Sequence, residues 1–163
     1  KSLDSLDEAS IKHAVILRIL ALLGWDTYNV NEVQPEFPVG DRKKVDFALA
    51  CGNNEWVFIE AKRGGEDLDR HQKQLLNYSF RHGVEIAILT NGKIWWFFLP
   101  LRKGSWKKRR FYVVDLFEQD LIEYVDFEYS KSWIFSPKSF KKRKVDQNHR
   151  RKRSESRKKE VKP

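Results

Sequence analysis

Asp46, Glu60 and Lys62 are the residues of this 163-residue chain whose types and spacing suit them to act together. Lys44-Val45-Asp46-Phe47-Ala48-Leu49 and Trp56-Val57-Phe58-Ile59-Glu60-Ala61-Lys62 are rich in Val, Ile, Phe and Trp, which predicts two β-strands. Gly52-Asn53-Asn54 between them predicts an antiparallel hairpin. With the turn centred on Asn53, Val45 pairs with Ala61, Phe47 with Ile59 and Leu49 with Val57 on one apolar face. Asp46 then stands across from Glu60 on the opposite face, and Lys44 across from Lys62. Side chains so opposed have Cβ atoms about 4.5–5.5 Å apart, where like charges repel. Oxygen ligands converging on one point suit a hard divalent cation, Mg²⁺ or Mn²⁺. Asp46, Glu60 and the main-chain carbonyl of Ala61 form such a set. Lys62 would orient or help deprotonate a water molecule and neutralise charge developing on a phosphate.

A Glu-x-Lys triplet alone says little in a chain of which 34% of residues are charged. The bland alternative makes Asp46, Glu60 and Lys62 a structural ion-pair cluster. Position in the chain favours the chemical reading, because Glu60 and Lys62 share one face of their strand and the hairpin brings Asp46 to it.

The elements that must hold these residues can be read in order. Ser5-Leu6-Asp7-Glu8 has the form of a capping box, with Ser5 as N-cap, ahead of an apolar-periodic run from Ile11 to Leu23 that Gly24 ends. Glu8 at the start of that helix has a sufficient role in capping and in meeting the helix dipole. Residues 28–37 predict a first strand, placed at an edge or bulge by Pro35, and Val39-Gly40-Asp41 a turn. Gly64-Gly65 breaks the second hairpin strand. A helix capped by Asp67 or Asp69 then runs to about His82, with Gly83 following and with Leu68, Leu75, Leu76 and Ser79 toward the sheet. On an adjacent face Gln74 and Tyr78 lie four residues apart and reach one region. Residues 84–90 form an apolar strand which, after a helix, must run parallel to 56–62. Asn91-Gly92 predicts a tight hairpin into 93–99, whose aromatic residues suit a core strand. A basic loop follows, with Arg102, Lys103, Lys107, Lys108, Arg109 and Arg110, then a strand over 111–114 and a short helix from Leu116 to about Val125.

Composition bounds the function. The length suits one domain with a real core. No apolar run approaches the ~20 residues that span a bilayer, no signal-peptide pattern opens the chain, and a single cysteine, Cys51, excludes an internal disulfide. A soluble, cytoplasmic protein without membrane partners is expected. The net charge is +9, but residues 138–163 hold 13 Lys/Arg against 3 Asp/Glu, leaving the rest of the chain near neutrality. The expected organisation is a folded domain over 1–130 and a basic, disordered tail over 131–163. Lys141, Lys142, Arg143 and Lys144 of the tail, with Lys103, Lys107, Lys108, Arg109 and Arg110 of the loop, are candidates to hold a nucleic-acid backbone.

Val45-Asp46-Phe47, Ile59-Glu60-Ala61-Lys62 and Gln74-Leu75-Leu76-Asn77-Tyr78, taken together, resemble the PD-(D/E)xK nuclease superfamily. More narrowly they resemble the N-terminal domain of type I restriction enzyme R subunits and the predicted type IV restriction endonucleases. Leu23-Gly24-Trp25-Asp26 and Leu89-Thr90-Asn91-Gly92 are similar to that group's pattern as well, so the likeness covers about residues 5–115. It departs in having no Pro before Asp46 and no motor or methyltransferase region after the domain. The resemblance implies an α/β, restriction-endonuclease-like mixed sheet flanked by helices. It further implies Glu8 as a metal-proximal acid, Asp46 and Glu60 as ligands, Lys62 as the catalytic lysine, and Gln74 with Tyr78 as a Q-x-x-x-Y element. The expected activity is Mg²⁺-dependent DNA hydrolysis in restriction or defence. The alternative is a non-catalytic nucleic-acid-binding or assembly subunit of a restriction-type complex. Paired cutting of a duplex ordinarily needs two sites, which makes a homodimer or other restriction-system subunits the candidate partners.

Overall fold

A computed structural model describes residues 2–40, 42–51 and 56–118 of the chain. Six strands lie side by side in chain order: β1 Val33–Gly40, β2 Lys43–Ala50, β3 Trp56–Ala61, β4 Ile86–Thr90, β5 Ile94–Phe98 and β6 Arg110–Asp115. β3 and β4 pair in parallel, and the other neighbours are antiparallel. The parallel pair is the one joined by a helix, Gln72–Arg81, because strands running the same way need a long crossover. Helices therefore cover both faces of a mixed sheet, an α/β architecture. Among the described residues no helix is long and apolar enough to cross a membrane.

Each face of the sheet has its own core. Ile11, Ile16 and Leu20 of the first helix pack with Trp25, Phe47, Leu49, Val57, Ile59, Trp95 and Phe97. Leu68, Leu75, Leu76 and Tyr78 pack with Val45, Ala48, Phe58, Ala87, Leu89 and Phe98 on the other side. The aromatic strand β5 is core, with Trp95, Phe97 and Phe98 all buried.

The hairpin register matches the expectation, with Phe47 opposite Ile59 and Leu49 opposite Val57. One feature differs. Val45 does not share a face with Phe47 but lies in the cluster under the second helix. The paired residues of β2 and β3 end at Phe47 and Ile59. Beyond them the Asp46 carboxylate, not a main-chain carbonyl, accepts the Ala61 N–H through Oδ2 at 2.6 Å. A side chain inserted into the ladder breaks the alternation and turns Asp46 toward the first helix.

The helix starts also differ from the sequence pattern. Leu3–Ser5 is a tight 3₁₀ turn in which the Ser5 hydroxyl donates to Ser2 O, so Ser5 is not the cap. Asp7 caps instead, accepting the Ser10 N–H at 2.7 Å. The first helix runs through Glu8–Ser10, a π-wound stretch Ile11–Ile16, and Leu17–Leu22. β1 begins at Val33 rather than near Tyr28 and continues to Gly40, an edge strand in which Pro35 removes no ladder donor from an inner strand. The crossover between β3 and β4 begins with the turn Leu68–Arg70, capped by Asp67, before Gln72 starts the helix. The β4–β5 turn centres one residue later than Asn91-Gly92: Asn91 N–H donates to Ile94 O, and the Asn91 side chain accepts from the Lys93 and Ile94 amides. The 52–55 loop, the helix expected from Leu116 to Val125, the boundary near 130 and the basic tail lie wholly or largely outside the described residues.

Two glycines seat the N-terminal segment against the sheet. A Cβ on Gly64 would lie 2.0 Å from Leu3 O, and one on Gly92 would lie 2.7 Å from Ile11 Cδ1. Gly64 N–H also donates to Leu6 O at 2.9 Å. Substituting Gly64→Ala therefore forces the Leu3–Ser5 turn off the sheet end, because the obstacle is backbone. The expected loss is about 1–3 kcal/mol, read as a lower midpoint in urea; an unchanged midpoint would contradict the seating.

Candidate active site

The C-terminal end of β3 gathers four carboxylates and two lysines from four elements. The first helix contributes Glu8 and Lys12, β1 contributes Glu36, β2 contributes Asp46, and β3 with the residue after it contributes Glu60 and Lys62. Lys12 Nζ lies 2.8 Å from Asp46 Oδ1, 3.3 Å from Glu36 Oε1 and 3.8 Å from Glu8 Oε1. Lys62 Nζ lies 2.8 Å from Glu60 Oε1 and 3.7 Å from Glu8 Oε2. Glu8 thus bridges two lysines, and each lysine holds one of the two inner acids.

Lys62 is fixed by its backbone. Its N–H donates to Thr90 O at 2.8 Å, continuing the parallel ladder past Ala61. The Asn91 side-chain amide donates to Glu66 O, tying the β4–β5 turn to the segment after Lys62. The Gly92 N–H donates to the Thr90 hydroxyl. Thr90-Asn91-Gly92 is therefore a brace for the strand end that carries Glu60 and Lys62.

The electrostatics follow from partial burial. Asp46 keeps a side-chain exposure of 10%, Glu60 15% and Lys62 16%. Burial raises the Glu60 pKa, the Lys62 ammonium opposes that rise, and the negative charges of Asp46 and Glu8 add to it, so Glu60 takes up a proton more readily than an ordinary glutamate. Burial alone would lower Lys62, but Glu60, Glu8 and Asp46 outweigh it and hold its pKa above the usual lysine range. Lys12 is likewise raised against its own desolvation, by Asp46 first and Glu36 second. Both lysines are ammonium ions at neutral pH. With the carboxylates ionised, the cluster has an excess of two negative charges.

That excess and the all-oxygen donor set fit one divalent cation. The carboxylates are nevertheless held apart by lysines, and among the described residues no three His, Cys, Asp or Glu side chains gather closely enough to hold a metal ion. The expected donors, Asp46, Glu60 and the Ala61 carbonyl with Glu8 beside them, are oxygen atoms of the type that Mg²⁺ or Mn²⁺ would take.

The other expected site residues lie elsewhere. Gln74 is exposed on the second helix and makes no hydrogen bond to the cluster among the described residues. Tyr78 is buried in the core under that helix, with Lys43 Nζ 5.6 Å from its ring centroid. The basic loop leaves β5 after Phe98, which pairs with Ala87 and, through it, with Phe58. Glu60 lies in the row of Leu89 and Trp96. The loop is therefore at the opposite end of the sheet from Lys62. Lys103, Lys107 and Lys108 are exposed there, Arg110 stacks 4.1 Å from the Trp96 centroid and Arg109 lies over Phe80. Lys141, Lys142, Arg143 and Lys144 lie outside the described residues. At the cluster's own end, Arg42 in the turn before β2 and Lys43 and Lys44 at its start are all exposed.

Lys12 and Glu36 are absent from the sequence-based set. Lys12 carries a signal, being four residues after Glu8 on a helix and so on the same face. Glu36 carries none, since its reach depends on a non-glycine φ of +52° within β1.

No protein-family profile matches the chain, and no solved structure matches it. The chain is similar to a restriction-system protein. A Methanocaldococcus jannaschii protein, whose name proposes a type II restriction enzyme and methyltransferase, is 34% identical over 95 residues. The match covers 55% of this chain and 8% of that protein, so the chain spans a small part of that relative's length.

Removing the inner acid tests the network. Asp46→Ala leaves the Ala61 N–H without an acceptor and Lys12 without its nearest partner, though Lys12 keeps Glu36 at 3.3 Å, a loss of about 1–3 kcal/mol. Glu36→Gln, at an exposed edge, should stay within about 0.5 kcal/mol. Equal, small losses in denaturant melts would show that the Asp46 contacts do not brace the fold.

Proposed function

We propose that this chain is a metal-dependent DNA endonuclease of the PD-(D/E)xK type, acting in restriction or defence against foreign DNA. One observation carries the reading: two carboxylates on adjacent strands and a lysine two residues after the second meet at a sheet end, inside a cluster of four carboxylates and two lysines that has two negative charges in excess. The similarity to a restriction-system protein supports DNA as the substrate. A bound Mg²⁺ or Mn²⁺ would neutralise phosphate charge and make its bound water more acidic.

The chain's own residues have separate tasks. Lys62 orients the attacking water and meets the charge that accumulates on the phosphoryl oxygens. Water oxygen adds to phosphorus, the bridging P–O bond breaks, one water proton passes to a nearby base and the leaving oxygen takes up a proton. A phosphate terminus and a hydroxyl result. Arg42, Lys43 and Lys44, beside Asp46, hold the backbone of the duplex being cut. The basic loop of Lys103, Lys107, Lys108, Arg109 and Arg110 holds a more distant stretch, and the tail adds a sequence-independent grip.

Purified chain incubated with plasmid DNA and Mn²⁺ should cut, and Asp46→Asn or Lys62→Ala should each reduce the rate at least about 100-fold. Cutting that persists equally in all three would mark a contaminant. A chain that binds DNA but cuts no substrate would support the second reading, a non-catalytic binding or assembly subunit, which the pairing of Asp46 with Lys12 and the Ala61 N–H favours. Changing Arg42, Lys43 and Lys44 together to Ala should lower the slope of log affinity against log salt by roughly 3. Cleavage should fall with it, whereas Lys107→Ala with Lys108→Ala should weaken binding but spare the rate at saturating DNA.

A further inference from the structure

We infer that Lys12 is an internal counter-ion that must leave Asp46 before a divalent cation can bind there, and that Glu36 is the carboxylate to which it withdraws. This rests on the metal-site reading above and adds a step of regulation to it. Each of the two Asp46 oxygens already accepts one hydrogen bond, Oδ2 from the Ala61 N–H at 2.6 Å and Oδ1 from Lys12 at 2.8 Å, and the Lys12 ammonium sets a positive charge where a cation would approach. The amide bond is part of the strand ladder. The ammonium is the partner that can move.

Its destination is already within reach. Lys12 Nζ is 3.3 Å from Glu36 Oε1, so withdrawal breaks one hydrogen bond while another is kept. Glu36 is half exposed and has no other ion pair among the described residues. A metal at Asp46 would therefore leave Lys12 paired.

Two backbone irregularities converge on this contact. The first helix is π-wound over Ile11–Ile16, with the Leu17 N–H donating to Lys12 O five residues back. Such widened turns recur at functional sites. Glu36 holds a φ of +52°, a conformation that a side chain with a Cβ seldom adopts. Both residues sit where regular helix and strand geometry would have placed them differently. Lys62 contrasts with Lys12, because it holds Glu60 and Glu8 and leaves Asp46 alone.

Calorimetric titration of the whole chain with MnCl₂, without DNA, tests this. Lys12→Gln should bind Mn²⁺ about tenfold more tightly than the wild type, equivalent to about 1.4 kcal/mol, and Lys12→Arg should bind no better than wild type. Asp46→Asn should lose the site. Equal affinity of wild type and Lys12→Gln, with binding lost in Asp46→Asn, would overturn the role of Lys12 and leave the metal site standing. Binding that is absent throughout, or unaffected by Asp46→Asn, would overturn the metal reading and this inference with it. A second readout needs no variant fold: in ¹⁵N-lysine spectra of the wild type, the Lys12 Nζ signal should shift on addition of Mg²⁺, and a signal that stays in place would overturn the inference.

Discussion

Two carboxylates held side by side at a sheet end impose a cost that the rest of the structure is arranged to offset. Asp46 and Glu60 stand on paired strands, both largely buried, and each raises the energy of the other's charge. Lysines are the counterweight. Lys12 binds Asp46, Lys62 binds Glu60, and Glu8 lies between the two ammonium groups. Breaking a buried pair from one side costs about 3–5 kcal/mol, far more than the pair adds over well-packed apolar residues. A stable fold alone therefore gives little reason to build this cluster. The proposed cation site, which needs converging oxygens, supplies a better one.

The cluster explains why the N-terminal segment packs as it does. Glu8 and Lys12 reach the sheet end because the first helix is pressed onto it, with Leu3 against Gly64 and Ile11 against Gly92. Thr90 and Asn91 hold the same end from the other side, through the Lys62 amide and the Glu66 carbonyl. Sheet order, glycine seats and turn chemistry thus converge on one rigid corner. Catalytic constellations are effective to the extent that such a corner keeps its geometry before substrate arrives.

Much of this was legible in the amino-acid sequence, for reasons of periodicity. Strand residues alternate, so a turn placed near Asn53 commits Phe47 to Ile59 and Leu49 to Val57, and the helix between β3 and β4 commits those strands to run parallel. What escaped the pattern were side chains that replace backbone groups. Asp46 takes the Ala61 amide and sends Val45 to the other face, and Asp7 displaces Ser5 as cap because Ser5 turns back on Ser2. Lys12 needed tertiary placement of the first helix to reveal its partner. The basic loop was visible as charge, but its distance from Lys62 follows from strand register alone, which places it at the Phe58 end.

The central claim is that Asp46 and Glu60 share a divalent cation. Crystals grown with MnCl₂ and measured near the manganese absorption edge test it most directly. The account predicts one strong anomalous peak within coordinating distance of an Asp46 oxygen and a Glu60 oxygen, with Lys12 withdrawn toward Glu36. No peak there, with the Lys12–Asp46 and Lys62–Glu60 pairs intact at high Mn²⁺, would contradict it.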